Sequence, residues 1–312
     1  MTALFTHEVF GAHETPPGHV EQQGRYWAVD RILGSEDFSD FTHEVPPLAD
    51  WSDIKRAHAA MYVEAIRETA PAEGMVQLDP DTFMGPHSLE AARRGAGGAI
   101  AAVDLVMKGK AMNAFVAARP PGHHTVPDRA MGFCLFNNAA IAALHARVAH
   151  GAQRIAVVDF DVHHGNGTQD ILEADENAFF ASSHEWPQYP GTGREQERGT
   201  AGNCHNAPLS SGEGGHAFRK VWGDRLLPAL SDFSPDFIVI SAGFDAHGAD
   251  PVGGLELTED DFAWVSDQIC QVAADSCHGR LVSVLEGGYD LDALARSTAT
   301  HVKALARASG TR

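Results

Sequence analysis

The sequence predicts an α/β protein with a mostly parallel β-sheet flanked by helices on both faces. Short runs that are apolar throughout recur along the chain, as expected for strands buried on both sides of a parallel sheet. Alanine-rich segments with helical spacing separate these runs. The 312 residues are 44% hydrophobic and 21% charged, an ordinary globular composition. We therefore predict a single domain over residues 1–312.

The predicted elements follow one another as strand, loop and helix. The five runs that predict strands are 114–118, 154–160, 178–182, 236–242 and 281–286. The three segments that predict helices are 88–109, 136–148 and 216–230. Residues 1–55 show neither pattern, so we predict an irregular N-terminal segment that packs on the sheet.

Composition and charge exclude several classes of function. The formal net charge of -19 opposes binding to nucleic-acid phosphates. It suits a cationic substrate, although solubility alone explains it equally well. The four cysteines form no CxxC pair, and no leader-like N-terminus or apolar run of ~18 residues occurs. We predict a cytoplasmic protein without membrane or nucleic-acid partners.

Polar side chains follow each of the five predicted strands. Ligands of open α/β sheets bind beyond the carboxyl ends of the strands, so these side chains are candidates for one site. The segments that follow the strands are RPPGHH, DVHHGNG, SHEWPQYPGTG, GFDAHGADP and GGYD. Chance placement would scatter such residues along the chain, so we expect them to meet at one edge of the sheet.

Asp161, His163 and Asp245 are the candidate metal ligands. A buried carboxylate is costly unless it is paired or binds a cation, and Asp159 and Asp161 both lie at a strand end. Alternating side chains of an extended strand share one face, so Asp161 and His163 are expected to face one ion. Two carboxylates and one imidazole suit catalytic Zn²⁺, or Fe²⁺ in its place. A plain hydrogen bond between Asp161 and His163 is the alternative.

Two further motifs suit catalysis beside such a metal. His123 and His124 lie in a loop stiffened by two prolines and are suited to acid/base chemistry; an exposed histidine pair is the alternative. Tyr289 follows two glycines and is placed to donate to a developing oxyanion, unless it is only a turn residue. Phe133 and Tyr189 are candidates to line a narrow apolar channel, although they also fit an ordinary core.

Six ordered motifs resemble those of the histone deacetylase family, and in particular its class II-like bacterial amidohydrolases. They are RPPGHH, GFCLFNNAA, DFDVHHGNGTQ, SAGFDAHGADP, GGLELT and LEGGYD. The resemblance implies the arginase/deacetylase fold and zinc-dependent hydrolysis of N-acetyl amides with release of acetate. It also implies that Asp161, His163 and Asp245 bind the zinc ion.

The resemblance implies a role for each remaining catalytic candidate. His124 would be the general base and later the general acid, with His123 tuning the charge. Asp159 would orient His123, and Asn166 would orient His124 through an amide, which should leave the pKa of His124 lower than a carboxylate would. Tyr289 would stabilise the oxyanion.

The resemblance also implies binding residues around the catalytic ones. Those of the acyl-lysine channel would be Gly132, Phe133, Tyr189 and Val252. A structural K⁺ would be held by Asp159, Asp161, the carbonyls of His163 and Ser183, and the Ser182 hydroxyl. Arg25 resembles the family's N-terminal arginine. The rim segment 185–202 is expected to border the channel mouth.

The substrate remains open between several classes. An acetylated lysine of a peptide or protein, or another small acylated amine, is expected. An acetylpolyamine amidohydrolase is the main alternative, although Val252 stands where a polyamine-selective enzyme can carry an acidic residue. An arginase-like binuclear manganese site would want a carboxylate where this chain has Gly165. A non-catalytic acyl-lysine binding module would be expected to have lost one of the catalytic residues, and none is lost.

Overall fold

The apolar runs that predict strands form the middle of one eight-stranded parallel sheet. The computed structural model describes residues 1–311. Its strands are β1 (Thr2–Phe5), β2 (Thr42–Glu44), β3 (Val76–Gln77), β4 (Phe83–Met84), β5 (Asn113–Val116), β6 (Ile155–Asp159), β7 (Ala178–Glu185), β8 (Cys204–Leu209), β9 (Phe237–Ala242) and β10 (Leu281–Leu285). The sheet order is β2-β1-β5-β10-β9-β6-β7-β8, while β3 and β4 form a separate antiparallel pair. The predicted sheet is confirmed.

Strand β6 shows why the central strands are apolar without alternation. Ala156 and Val158 point into the core on one face of the sheet, and Ile155 and Val157 point into the core on the other. All four side chains are fully buried. A strand covered on both faces favours apolar side chains at consecutive positions, which is the pattern of β6 up to Asp159 at its end.

Helices cover both faces of the sheet. They are α1 (Val9–Ala12), α2 (Gln23–Leu33), α3 (Trp51–Ile54), α4 (Ala60–Thr69), α5 (Ser88–Met107), α6 (Asn138–His150), α7 (Asn166–Leu172), α8 (Gly215–Val221), α9 (Leu227–Phe233), α10 (Glu259–Cys277) and α11 (Leu291–Ser309). Helices α5 and α6 contribute to one core, and α2, α10 and α11 to the other. Within residues 1–311, no helix combines the length and apolar character that crossing a membrane requires.

The prediction of an irregular segment over residues 1–55 is wrong. Strand β1 lies inside the sheet between β2 and β5, and α2 packs against the core. Strands of four and three residues are too short to show a periodic pattern. Strand β8 was also missed, because an edge strand tolerates residues such as Asn206 and Pro208.

The helix predicted over residues 216–230 is interrupted in its middle. A π-helical turn, Trp222–Leu226, separates α8 from α9. Trp222 is fully buried there, and its Nε1 donates a hydrogen bond to the Ser183 hydroxyl at 2.9 Å. The wider turn thus accompanies a buried tryptophan that reaches the end of β7, a use typical of π-turns near functional sites.

Candidate active site

Four neighbouring strands deliver the candidate catalytic residues to one edge of the sheet. Strands β5, β10, β9 and β6 lie side by side and run parallel. The loops after their carboxyl ends carry the following residues: His123 and His124 after β5, Tyr289 after β10, Asp245 after β9, and Asp161 and His163 after β6. The strand order therefore brings these loops to one edge of the sheet, as the sequence predicts.

Asp161, His163 and Asp245 converge in the interior. His163 Nδ1 lies 3.0 Å from Asp161 Oδ1 and 3.3 Å from Asp245 Oδ2, and one ligand atom of each residue lies within 4.8 Å of the others. All three side chains are buried. The expectation that a strand aligns Asp161 with His163 is wrong, because β6 ends at Asp159. A turn aligns them instead, in which Asp161 Oδ1 accepts the His163 N–H at 2.9 Å.

The donor set fits a divalent cation. Asp245 Oδ1 accepts the Val162 N–H at 2.8 Å, whereas the buried Oδ2 makes no hydrogen bond of good geometry, its contact with His163 Nδ1 being 3.3 Å long. Burial, together with the charge of Asp161, raises the pKa of the Asp245 carboxyl to about 7. A cation beside the two carboxylates would relieve both effects. Two carboxylate oxygens and one imidazole nitrogen are ligands that Zn²⁺ and Fe²⁺ accept.

His123 and His124 stack beside this cluster with ring centroids 4.0 Å apart. His123 Nδ1 lies 2.9 Å from Asp159 Oδ2, and His124 Nδ1 lies 2.8 Å from the Asn166 side-chain oxygen. Burial opposes charge on His123, but the carboxylates of Asp161 and Asp159 raise its pKa well above the usual range. Burial, followed by the charge of His123, holds the pKa of His124 well below its usual range. His124 is thus the neutral imidazole of the pair.

Glu286, which no sequence pattern singled out, fixes the loop that carries His123 and His124, called here the histidine loop. Its Oε2 accepts the N–H groups of Gly122 at 2.7 Å and His123 at 3.1 Å, and its Oε1 accepts the Ser241 hydroxyl at 3.1 Å. Burial raises the pKa of this carboxyl to about 7. An acidic residue at the very end of a buried apolar strand was the signal that could have revealed it.

A buried ionic network lies behind Tyr289. Arg25 donates to the Gly288 carbonyl at 2.6 Å and to Glu21 at 2.8 Å, and its guanidinium lies 4.9 Å from the Tyr289 ring centroid. Arg119 also binds Glu21, with its Nη2 2.7 Å from Oε2. Burial raises the pKa of the Tyr289 hydroxyl well above its usual range, so it is a proton donor at neutral pH. Glu21 and Arg119 were missed, because an ion pair across distant segments leaves no local pattern.

A narrow cavity of about 180 Å³ leads to the cluster. The predicted channel residues Gly132, Phe133, Tyr189 and Val252 all line it, together with Asp81, Gln188, His124, His163 and Tyr289. Gly132 has φ 56°, and a Cβ there would overlap the His124 ring. Gln188 and Tyr189 belong to the rim segment 185–202, which thus borders the cavity. Asp81 was not predicted.

The residues expected to hold K⁺ lie on two adjacent strand ends. Asp159 of β6 pairs in register with Ser182 of β7. The Ser182 hydroxyl lies 2.9 Å from His184 Nδ1, and the Ser183 hydroxyl accepts the hydrogen bond from Trp222. Asp161 and His163 follow in the loop after β6. The potassium assignment stays a prediction.

The chain resembles known deacetylases in sequence and structure. Residues 19–305 match the histone deacetylase domain. A probable deacetylase of Methanothermobacter thermautotrophicus is 40% identical and covers 92% of this chain, which spans 86% of that protein. The histone deacetylase-like amidohydrolase of Pseudomonas aeruginosa is 43% identical over 78% of this chain and 65% of its own length. The crystal structure of the HDA15 HD domain matches with a TM-score of 0.91 at 34% identity, over 97% of this chain and 90% of that one. The chain belongs to the histone deacetylase family of amidohydrolases.

Proposed function

We propose that this protein is a metal-dependent hydrolase that removes acyl groups from the amines of lysine side chains or of related small molecules. The observation that carries the proposal is the position of Asp161, His163 and Asp245 beside a narrow cavity that His124 and Tyr289 also line. Metal ligands, a neutral imidazole and a protonated phenol would then surround the same reacting amide.

Asp161, His163 and Asp245 would hold Zn²⁺, or Fe²⁺ in its place. Such an ion, when bound, would supply Lewis acidity toward the acyl carbonyl and lower the pKa of water. Asp245 Oδ2, which is buried and makes no hydrogen bond of good geometry, supports this assignment.

The remaining catalytic steps belong to protein side chains. Neutral His124 would take the proton of the attacking water and later deliver it to the departing amine nitrogen. Tyr289 would donate its O–H to the oxygen on which negative charge develops. His123, whose pKa the carboxylates raise, would carry the compensating positive charge, and Asp159 and Asn166 would hold the two rings in place.

The walls of the cavity favour a linear apolar stem with an amide at its end. Phe133, Tyr189 and Val252 offer apolar contacts to methylene groups, and Gly132 leaves room beside His124. The side chain of an acylated lysine has this form. The acidic surface, with a net charge of -19, would favour substrates whose remaining groups are cationic.

The test is a comparison of hydrolysis rates by the zinc-loaded enzyme. The substrates are an acetyl-lysine peptide, free acetyl-lysine, acetylputrescine, acetylspermidine and a trifluoroacetyl-lysine control. We expect turnover of acetyl-lysine that is lost on chelation. A clear preference for acetylpolyamine would replace lysine with a small polycation as the substrate class. The absence of any amide hydrolysis, including that of the trifluoroacetyl compound, would contradict the proposal.

A further inference from the structure

A second cluster of carboxylate and imidazole side chains lies between α5 and α6, apart from the candidate active site. Asp104 belongs to α5, and His145 and His150 belong to α6, which packs against α5. The Nε2 atoms of His145 and His150 lie 2.8 Å and 2.7 Å from the same oxygen, Asp104 Oδ1. One ligand atom from each residue lies within 4.8 Å of the other two.

We propose that Asp104, His145 and His150 form a second metal site, selective for a borderline divalent transition metal such as Zn²⁺. Two imidazole nitrogens and one carboxylate oxygen are the ligands that Zn²⁺ accepts, whereas Mg²⁺ and Ca²⁺ prefer oxygen alone. The side chains are 10%, 15% and 35% exposed for His145, His150 and Asp104, so solvent can supply the remaining ligand.

Asp104 and the carboxyl end of α6 supply negative charge at this position. The Asp104 carboxylate is the shared acceptor of the cluster, because Lys108 and both histidines lie within hydrogen-bond distance of its oxygens. His150 is the last residue of α6, and the carboxyl end of a helix carries partial negative charge. Lys108 contacts Asp104 Oδ2, so the oxygen shared by the histidines remains available.

Arg56 opposes metal binding in the conformation observed. Its Nη1 lies 2.9 Å from His145 Nδ1, and its Nη2 lies 2.7 Å from Asp53 Oδ1. A guanidinium only donates, so Nδ1 accepts and the ring proton lies on Nε2, toward Asp104. A metal at Nε2 requires the proton on Nδ1, where an acceptor is the usual partner. Arg56 must therefore turn away from His145 before the metal binds.

Because Arg56 opposes metal binding, replacing it should strengthen binding rather than weaken it. Replacing Arg56 by Gln removes a positive charge and offers His145 Nδ1 an amide oxygen as acceptor. Metal affinity should then rise by about tenfold, the size of effect that groups behind a ligand commonly have. If the three residues only form hydrogen bonds with one another, Arg56→Gln creates no metal affinity.

The experiment titrates Co²⁺ and Zn²⁺ into chelator-treated protein that carries Asp245→Ala, which weakens the candidate catalytic site. Binding is followed by Co²⁺ absorption and calorimetry, and folding by circular dichroism. We expect one ion per chain, binding weakened about tenfold or more by His150→Gln and unchanged by His216→Ala, which alters an exposed helical histidine. Arg56→Gln should tighten it.

Zinc should also raise the melting temperature of the Asp245→Ala protein, because an ion bound between α5 and α6 stabilises the folded state. This shift should disappear with His150→Gln. Metal binding that His150→Gln leaves unchanged, or that Arg56→Gln fails to tighten, would overturn the proposal. Neither result bears on amide hydrolysis, so the proposed function stands or falls separately.

Discussion

At the scale of single residues, glycine at position 287 is a steric requirement of the two carboxylates proposed to bind the metal, Asp161 and Asp245. A Cβ on Gly287 would overlap Asp245 Oδ2 and approach within 2.6 Å of Asp161 Oδ2. We expect Gly287→Ala to displace both carboxylates and to lower metal content and turnover by about tenfold or more. Metal analysis of purified protein, with steady-state rates, checks this.

The matched control is Gly248→Ala, in the loop that follows Asp245. A Cβ there would meet its nearest atom at 3.4 Å, an ordinary contact. Metal content and rate should stay near those of the wild type. Equal losses in the two variants would mean that general damage to the fold, rather than pressure on the carboxylates, explains the effect.

Tyr289 is expected to act on the reacting amide and to leave the metal unaffected. Removing one donor to a developing oxyanion commonly costs about 10²-fold or more in turnover. Tyr289→Phe should therefore lower kcat by ~10²-fold while metal content stays at the wild-type value. Measuring kcat together with metal stoichiometry separates the two effects, and wild-type turnover in this variant would remove Tyr289 from the mechanism.

The two histidines of the candidate site, His123 and His124, should differ in the step that they serve. His124 is the neutral imidazole, so His124→Ala should lower kcat by about 10²-fold or more through loss of acid/base catalysis, with metal still bound. Single-turnover rates with equal metal loading check this expectation. Near-normal activity in the variant would shift the role of base to His123.

At the scale of secondary-structure elements, Glu286 joins the end of β10 to the histidine loop after β5. Glu286→Ala would leave the buried N–H groups of Gly122 and His123 without an acceptor, at a cost of about 1–3 kcal/mol for each group. We expect denaturant unfolding to show a loss of about 2 kcal/mol or more, accompanied by slower turnover.

Glu286→Gln is the matched variant, because its amide oxygen can still accept hydrogen bonds from the loop. It should recover most of the stability that Glu286→Ala loses. If the two variants unfold at the same denaturant concentration, the carboxylate does not anchor the loop.

The elements that could be predicted from sequence are those whose surroundings are uniform. Strands β6, β9 and β10 are buried on both faces, so nearly every residue in them is apolar and the sequence shows them as apolar runs. Strands β2 and β8 lie at the sheet edges, where half-exposed polar residues are tolerated. Neither strand was predicted from the sequence. The π-turn within residues 216–230 was not predicted, because the helical spacing of apolar residues does not reveal one extra residue in a turn.

The residues of the candidate site also fall into those that the sequence predicts and those that it does not. His123, His124, Asp161, His163, Asp245 and Tyr289 each directly follow an apolar run, so topology alone predicts that they meet. Glu21 and Arg119 are paired from segments 98 positions apart, and no local spacing records such a pair. The turn that aligns Asp161 with His163 was mistaken for a strand, because alternation cannot distinguish two extended residues from a tight turn stabilised by a side chain.

At the scale of the whole molecule, buried neutral histidines make stability depend on pH. His301 of α11 is fully buried, with Nδ1 2.6 Å from the Ser266 hydroxyl and Nε2 2.8 Å from the Ser283 hydroxyl. It thus links α10, α11 and β10 through one imidazole. Burial lowers the pKa of His301 to about 3, and it lowers those of His58 and His184 to about 4.

The lowered pKa of His301 determines how the stability of the folded protein changes with pH. As pH falls below the unfolded pKa of 6.5, the unfolded chain binds a proton at position 301 that the folded protein rejects until about pH 3. Stability from this residue is therefore complete above pH 6.5 and declines toward pH 3, at up to ~1.4 kcal/mol per pH unit. We expect His301→Gln, whose amide can still bond to the serines, to reduce the slope of unfolding free energy against pH by one proton. Urea unfolding between pH 4 and 7 measures that slope. His216→Gln, at an exposed histidine, is the control. An unchanged slope in His301→Gln would mean that His301 takes up its proton while the protein is folded.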